Sequence, residues 1–212
     1  MLNYFEMFER LKNHCNKLVN QFDTIPTDRK EQLTKISDYI QTKKDLNLPI
    51  NLMYVCTHNS RRSHFGQIWA AVAASYFGVE NVHSFSGGTE ATAFNPNAIR
   101  ALKEIGFEIS TEELTENPIY KVAFGTKETQ FTTCFSKVYD DSFNPVSNFA
   151  AIMTCSDAEQ NCPFIPGVEL RIGTTYADPK AYDGTAQQAE KYLERSNQIA
   201  LECLFVFSRI NQ

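Results

Sequence analysis

Apolar residues recur three or four apart at the start of the chain: Leu2, Phe5, Phe8, Leu11, Cys15, Leu18, Val19 and Phe22. That spacing lays them along one face of a helix. "IPTDRKEQLTKISDYIQTKK" starts a second helix near Thr27, with Leu33, Ile36 and Ile40 turned inward. Residues 1–49 are therefore expected to form a helical hairpin laid against a main domain, for packing or as the contact of a homodimer. His14 and Cys15 are adjacent, so on a helix they point in different directions and make a poor metal pair.

From residue 50 the pattern changes. "INLMYVC" is a short, nearly continuous apolar run, the mark of a strand buried on both faces. "SHFGQIWAAVAASYFG" reads as a helix and "VHSFSGG" as a strand and turn. "NPNAIRALKEIG" carries a helix start at its Asn-Pro and a stop at Gly106. "FAAIMTC" (149–155) and "VELRIG" are two more strands, and "TAQQAEKYLERSNQIALECLFVFSRI" is a long closing helix. Strands alternating with helices predict an α/β fold: an open four-stranded parallel sheet with helices on both faces, plus the N-terminal helical extension. Residues 111–148 break the rhythm of the 50–212 domain. They read as an insertion in which "YKVAFG" and "TTCFSKVY" pair as a hairpin across "TKETQ".

Composition narrows the function. The chain has 212 residues, 42% hydrophobic, enough for one domain with an appendage. Its net charge of -5 and the absence of a long basic block argue against a nucleic-acid partner. No apolar run is long enough to span a bilayer, and "MLNYFEMFERLKNHCNKL" lacks a signal-peptide core, so no membrane role and a cytoplasmic location are expected. Six cysteines in that compartment are expected to be reduced, either buried thiols or reactive groups.

The chemistry gathers at "VCTHNSRRS", residues 55–63. Ligands of an open parallel sheet bind beyond the carboxyl ends of its strands, and Cys56 ends the first strand just before a helix begins around Ser63. The loop of Thr57, His58, Asn59, Ser60 and Arg61 is expected to aim backbone N–H groups at a tetrahedral oxyanion. Arg62 would grip two of its oxygens, and a helix N-terminus with an arginine favours a thiolate nucleophile at Cys56. Ser63 is expected to donate to that sulfur, Asn59 to hold the loop's shape, and Arg61 to matter much less than Arg62 if it points to solvent. Asp178, ahead of Pro179 in "TYADPKAYD", is placed to protonate a leaving oxygen or to take a proton from water.

With these residues in view, "VCTHNSRRS" and the late "ADP" resemble the low-molecular-weight protein tyrosine phosphatase superfamily, over roughly residues 50–110 and 149–209. The resemblance implies Cys56 as nucleophile, Arg62 as oxyanion ligand and Asp178 as general acid. His58 stands where that family commonly has glycine, and Arg61 where many members have a second cysteine. "MTCSDAEQNCP" and "SGGTEATAFNPNAIRALKEIGFEIS" closely resemble the thioredoxin-coupled arsenate reductase branch. That likeness implies a relay. Cys56 attacks arsenate, Cys155 attacks the sulfur of Cys56 as arsenite leaves, Cys162 attacks Cys155, and a thioredoxin-like reductant opens the last disulfide. No second suitably spaced Cys/His pair accompanies Cys155 and Cys162, so no metal and no cofactor is expected. Cys15, Cys134 and Cys203 are expected to be structural. A phosphatase acting on phosphotyrosine or a small phosphomonoester, through a Cys56 phosphocysteine, remains the alternative. A non-catalytic anion- or partner-binding module is the third.

Overall fold

A computed structural model describes residues 6–161 and 164–211, with residues 160 and 161 described by their backbone alone. Four strands, β1 (Ile50–Cys56), β2 (Val82–Gly88), β6 (Phe149–Met153) and β7 (Val168–Gly173), form a parallel sheet in the order β2-β1-β6-β7. The helices are α1 (Glu9–Val19), α2 (Thr27–Asp45), α3 (Arg62–Phe77), α4 (Pro96–Ile105), α5 (Ser156–Asn161) and α6 (Gln188–Ser208). The α/β architecture expected from the pattern is the one observed.

Strand alternation builds two cores, one on each face of the sheet. Leu52, Tyr54, Ala150 and Ile152 join the large cluster with Phe65, Trp69, Leu204 and Phe207 of α3 and α6. Met53, Val55, Phe149, Ala151 and Met153 join a small cluster that also holds Cys56, Cys155 and Ala158 of α5. Long helices cover the first face, while α5 and loops cover the second.

Leu11, Cys15, Leu18, Leu33, Ile36 and Ile40 are buried in the large cluster, so α1 and α2 share the core of α3 and α6. Ser37 donates to the Val206 carbonyl (3.0 Å), and His14 bonds Asn197 (2.9 Å) and stacks on Trp69. The first helix starts later than its apolar pattern. Met7 instead bridges Gly125 and the Phe8 N–H bonds the Phe124 carbonyl, because a neighbouring hairpin offers the backbone partners there. Leu2 and Phe5 lie outside the described residues.

That hairpin is the expected one across 126–130. The strand β4 (Tyr120–Ala123) pairs antiparallel with β5 (Phe131–Cys134), Tyr120 opposite Cys134. A short β3 (Glu108–Ser110) on the other side of β4 completes a second, three-stranded sheet. The sixth strand stops at Met153, two residues short of the apolar run that predicted it. Cys155 serves instead as the turn into α5, its carbonyl bonded by the Glu159 N–H.

Candidate active site

Cys56 ends β1, almost fully buried. Beyond it the loop is held from outside by its carbonyls. The Cys56 carbonyl accepts from the Thr89 N–H and that of Thr57 from the Glu90 N–H. The carbonyl of His58 accepts from the Thr92 and Ser136 hydroxyls (3.0 and 3.1 Å) and that of Ser60 from the Asn95 N–H. With the carbonyls drawn outward, the backbone N–H groups of residues 57–63 have no protein acceptor among the described residues. A run of uncommitted amides at a helix N-terminus is what a tetrahedral oxyanion requires.

Asn59 makes the turn. It adopts φ 42, in the left-handed region that asparagine tolerates. Its Nδ2 donates to Ser63 Oγ (2.9 Å), and its Oδ1 accepts the Lys137 N–H (2.8 Å). Because Ser63 Oγ already accepts from Asn59, its own proton is available for Cys56 Sγ, 3.1 Å away. The left-handed step falls at 59, so His58 sits in the loop without backbone strain. At Gly88, a Cβ would press against the Asn59 nitrogen and the Thr57 carbonyl, each at 2.7 Å; only glycine lets β2 approach the loop so closely.

The two arginines converge on one carboxylate. Arg62 Nη2 donates to Asp178 Oδ2 (2.7 Å) and Nη1 to the Tyr176 carbonyl (2.9 Å). Arg61 does not point to solvent, the condition under which it would matter little. It is buried, and its fork grips Asp178 through Nε (2.8 Å) and Nη2 (3.2 Å). An Arg at this position finds a nearby carboxylate in a half-buried site, and the bidentate geometry outweighs the cost of leaving water. Burial alone would raise the Asp178 pKa. The Arg62 charge, the Arg61 hydrogen bonds and the Lys180 N–H outweigh it and hold the carboxyl below the usual range.

Behind Asp178 lies a support that no local motif announced. The Tyr176 hydroxyl donates to Glu202 (2.7 Å), and Arg29 of α2 pairs with the same carboxylate (2.9 Å). Arg29 also lies 4.9 Å from the Tyr176 ring centroid. Its only sequence signal is a charged residue on a mostly solvated helix face.

Cys155 comes to the same sheet edge. Its Sγ lies 3.5 Å from the Thr57 hydroxyl and accepts the Ala158 N–H (3.3 Å). Adjacent parallel strands in register, Val55 opposite Met153, put the second thiol beside the loop of the first. Cys162 lies outside the described residues. Cys15, Cys134 and Cys203 are buried away from the loop, and burial pushes each of their pKa values up to about 12. Thiols held protonated in this way are inert. Among the described residues no group of three or more His, Cys, Asp or Glu side chains is placed to hold a metal, and no helix is long and apolar enough to cross a membrane.

The site thus joins a sheet-edge cysteine, a loop of uncommitted amides and two arginines that converge on Asp178, on an α/β fold. The chain is 28% identical over 145 residues to an arsenate reductase of Bacillus subtilis (strain 168), covering 68% of this chain and 84% of that one. It is 30% identical over 117 residues to an arsenate reductase of Staphylococcus aureus (strain bovine RF122 / ET3-1), covering 54% of this chain and 67% of the relative. A solved arsenate reductase in its phosphate-binding state superposes with a TM-score of 0.52 at 16% identity, over 76% of this chain and 99% of that one, and so shares the fold. No family model matches the chain. The chain belongs to the arsenate reductase family.

Proposed function

We propose that the protein reduces arsenate to arsenite through the Cys56, Cys155 and Cys162 thiols. One observation carries the reading: a second thiol, Cys155, touches Thr57 of the Cys56 loop. A hydrolase has no use for it, whereas a reductase must deliver two electrons.

In this reading the free amides of 57–63 and the Arg62 guanidinium hold arsenate. The Cys56 sulfur forms a bond to arsenic, and an arsenic-bound oxygen leaves as water. Cys155 then attacks the Cys56 sulfur. The S–As bond breaks, its electron pair stays on arsenic, arsenite leaves, and a Cys56–Cys155 disulfide remains. Cys162 attacks Cys155 and releases Cys56. A dithiol reductant of the thioredoxin kind reduces the Cys155–Cys162 bond and takes up the oxidation. Ser63 supports Cys56 as attacking and leaving group, and Asn59 holds the loop. Residues 1–49 are then an added helical layer whose Arg29 braces Tyr176, and residues 111–148 an insertion that supplies Lys137 to Asn59.

The state of Asp178 also favours reduction. A phosphomonoesterase needs a protonated acid at its leaving oxygen. Asp178 is gripped by two guanidinium groups that favour its ionised form. Phosphoester hydrolysis is therefore expected as a slow side activity with an acidic optimum.

The test is NADPH oxidation with arsenate, thioredoxin and thioredoxin reductase, run beside hydrolysis of para-nitrophenyl phosphate. Arsenate-dependent NADPH consumption that requires thioredoxin supports the reading. Brisk hydrolysis at neutral pH without arsenate-dependent oxidation would replace it with a phosphatase.

A further inference from the structure

Away from the Cys56 loop, a cleft of about 850 Å³ opens among α3, β2 and the β4–β5 hairpin. Its walls include Phe85, Phe131, Phe135, Phe143 and Lys137, and none of residues 56–63, Cys155 or Asp178. The volume suits a small organic ligand.

Lys137 sets it apart from an ordinary surface groove. The residue is 4% exposed. Its backbone is fully used, the N–H on Asn59 and the carbonyl on Gly88. Its ammonium, 4.5 Å from the centroid of the Phe135 ring, has no hydrogen-bond acceptor and no ion pair among the described residues. Asp141 attracts it only through space. Burial pushes its pKa below the ordinary lysine range, against that attraction. A lysine whose stem is this buried is normally paired, and here the cleft that its head lines is where an anionic partner could enter. The other lysine of the cleft, Lys127, is already paired with Glu6, while Glu80 and His83 stand exposed to solvent. The apolar part of the wall is partly open: Phe143 is 61% and Phe131 38% exposed, and Phe143 meets Phe135 edge to face at 5.1 Å.

We propose that this cleft is a second binding site, for a small organic anion whose carboxylate or phosphate head pairs with the Lys137 ammonium and whose flat apolar body lies against Phe135, Phe143 and Phe131. The cation selects the charge and the rings select the body. The site stands independently of the redox chemistry, because its ligand touches no cysteine that the relay uses.

Calorimetric titration of the whole chain with naphthoate and with phenylphosphonate tests it, each in excess inorganic phosphate to occupy the Cys56 loop. One-to-one binding of at least one anion is expected, with neutral naphthamide at least about tenfold weaker, the scale of a charge-assisted contact. A preference for the carboxylate or for the phosphonate assigns the head group. Lys137→Met should lose about tenfold or more and Lys137→Arg should retain most of the affinity. Should Lys137→Met fail to fold, Phe143→Ala, at an exposed position, is expected to weaken the same probe severalfold. Absence of binding to the native chain, equal affinity for naphthamide, or unchanged affinity across the Lys137→Met and Phe143→Ala variants would each overturn the proposal.

Discussion

The two thiols at the sheet edge sit in very different settings. The Cys56 loop is fastened at almost every residue: Asn59 bonds Ser63 and Lys137, Ser60 bonds Ala93, and four carbonyls are held by residues 89–95 and Ser136. Cys155 begins a six-residue helix, too short to be stable by its own hydrogen bonds. Among the described residues, Ala158 packs α5 on the sheet and Arg171 donates to the Ala158 and Glu159 carbonyls (3.3 and 3.0 Å). The contrast fits the tasks that the proposed relay would give the two thiols. An oxyanion cradle works by being preorganised. A thiol that must meet one partner and then another needs a segment whose local structure is cheap to undo, since a disulfide requires Cα atoms within about 7 Å.

The largest expected effect comes from the fastened side. Cys56→Ser should abolish arsenate reduction and phosphoester hydrolysis alike, each by about 10⁴-fold or more, measured as initial rates. Next comes the remodelled side. Cys155→Ser and Cys162→Ser should each stop multiple-turnover reduction while hydrolysis stays within about threefold of native, since no water-driven step uses them. Cys162→Ser should also accumulate a Cys56–Cys155 disulfide, read by mass spectrometry of non-reduced peptides. Wild-type reduction rates in both variants would dissolve the comparison, leaving one working thiol.

The arginines sharpen the picture within the fastened side. Arg62→Lys keeps the charge but loses the fork, and should cost both activities about 10²–10³-fold, the scale of a lost oxyanion donor. Arg61→Met should cost reduction less, about tenfold, because Arg61 acts on Asp178. It should also move the hydrolysis profile. With one guanidinium gone the Asp178 pKa rises, so the descending limb, where the acid loses its proton, shifts to higher pH. An unmoved limb would mean that Asp178 is not the acid.

Two stability effects are smaller. Asn59→Ala removes both side-chain bonds of the turn and places alanine at positive φ, and should cost about 1–3 kcal/mol in denaturant unfolding. Asp178 has a pKa depressed in the folded state, so its pairing contributes stability above the unfolded value of about 4 and loses it as pH falls through the folded value. The melting-temperature gap between the native chain and Asp178→Asn should therefore be widest near neutral pH and close in acid. A gap that widened toward low pH would reverse the assigned direction.

Much of this was legible from local pattern. Nearly continuous apolar runs placed β1 and β6, Asn95 and Gly106 bracketed α4, and the Cys56–Arg62 spacing located the loop. Local pattern failed where a residue's partner is distant in the chain. Nothing near Arg61 in the chain showed whether it points to solvent, because its partner Asp178 lies 117 residues on. The end of the 149–155 run read as strand, but Cys155 turns the chain into α5.

The sequence by itself determined the layered α/β order and the residues able to do thiol and oxyanion chemistry, because periodicity, turn residues and motif spacing act over a few positions. Only the tertiary structure decided how those residues are committed. It set Asp178 between two guanidinium groups, turned the loop carbonyls toward residues 89–95 so that the amides remain available, and brought Lys137 from 78 residues away to hold Asn59. Hydrogen bonds, burial and charge pairing depend on which chain segments meet in space, and the meeting of β1, β2 and the 111–148 segment is a property of the packed sheet.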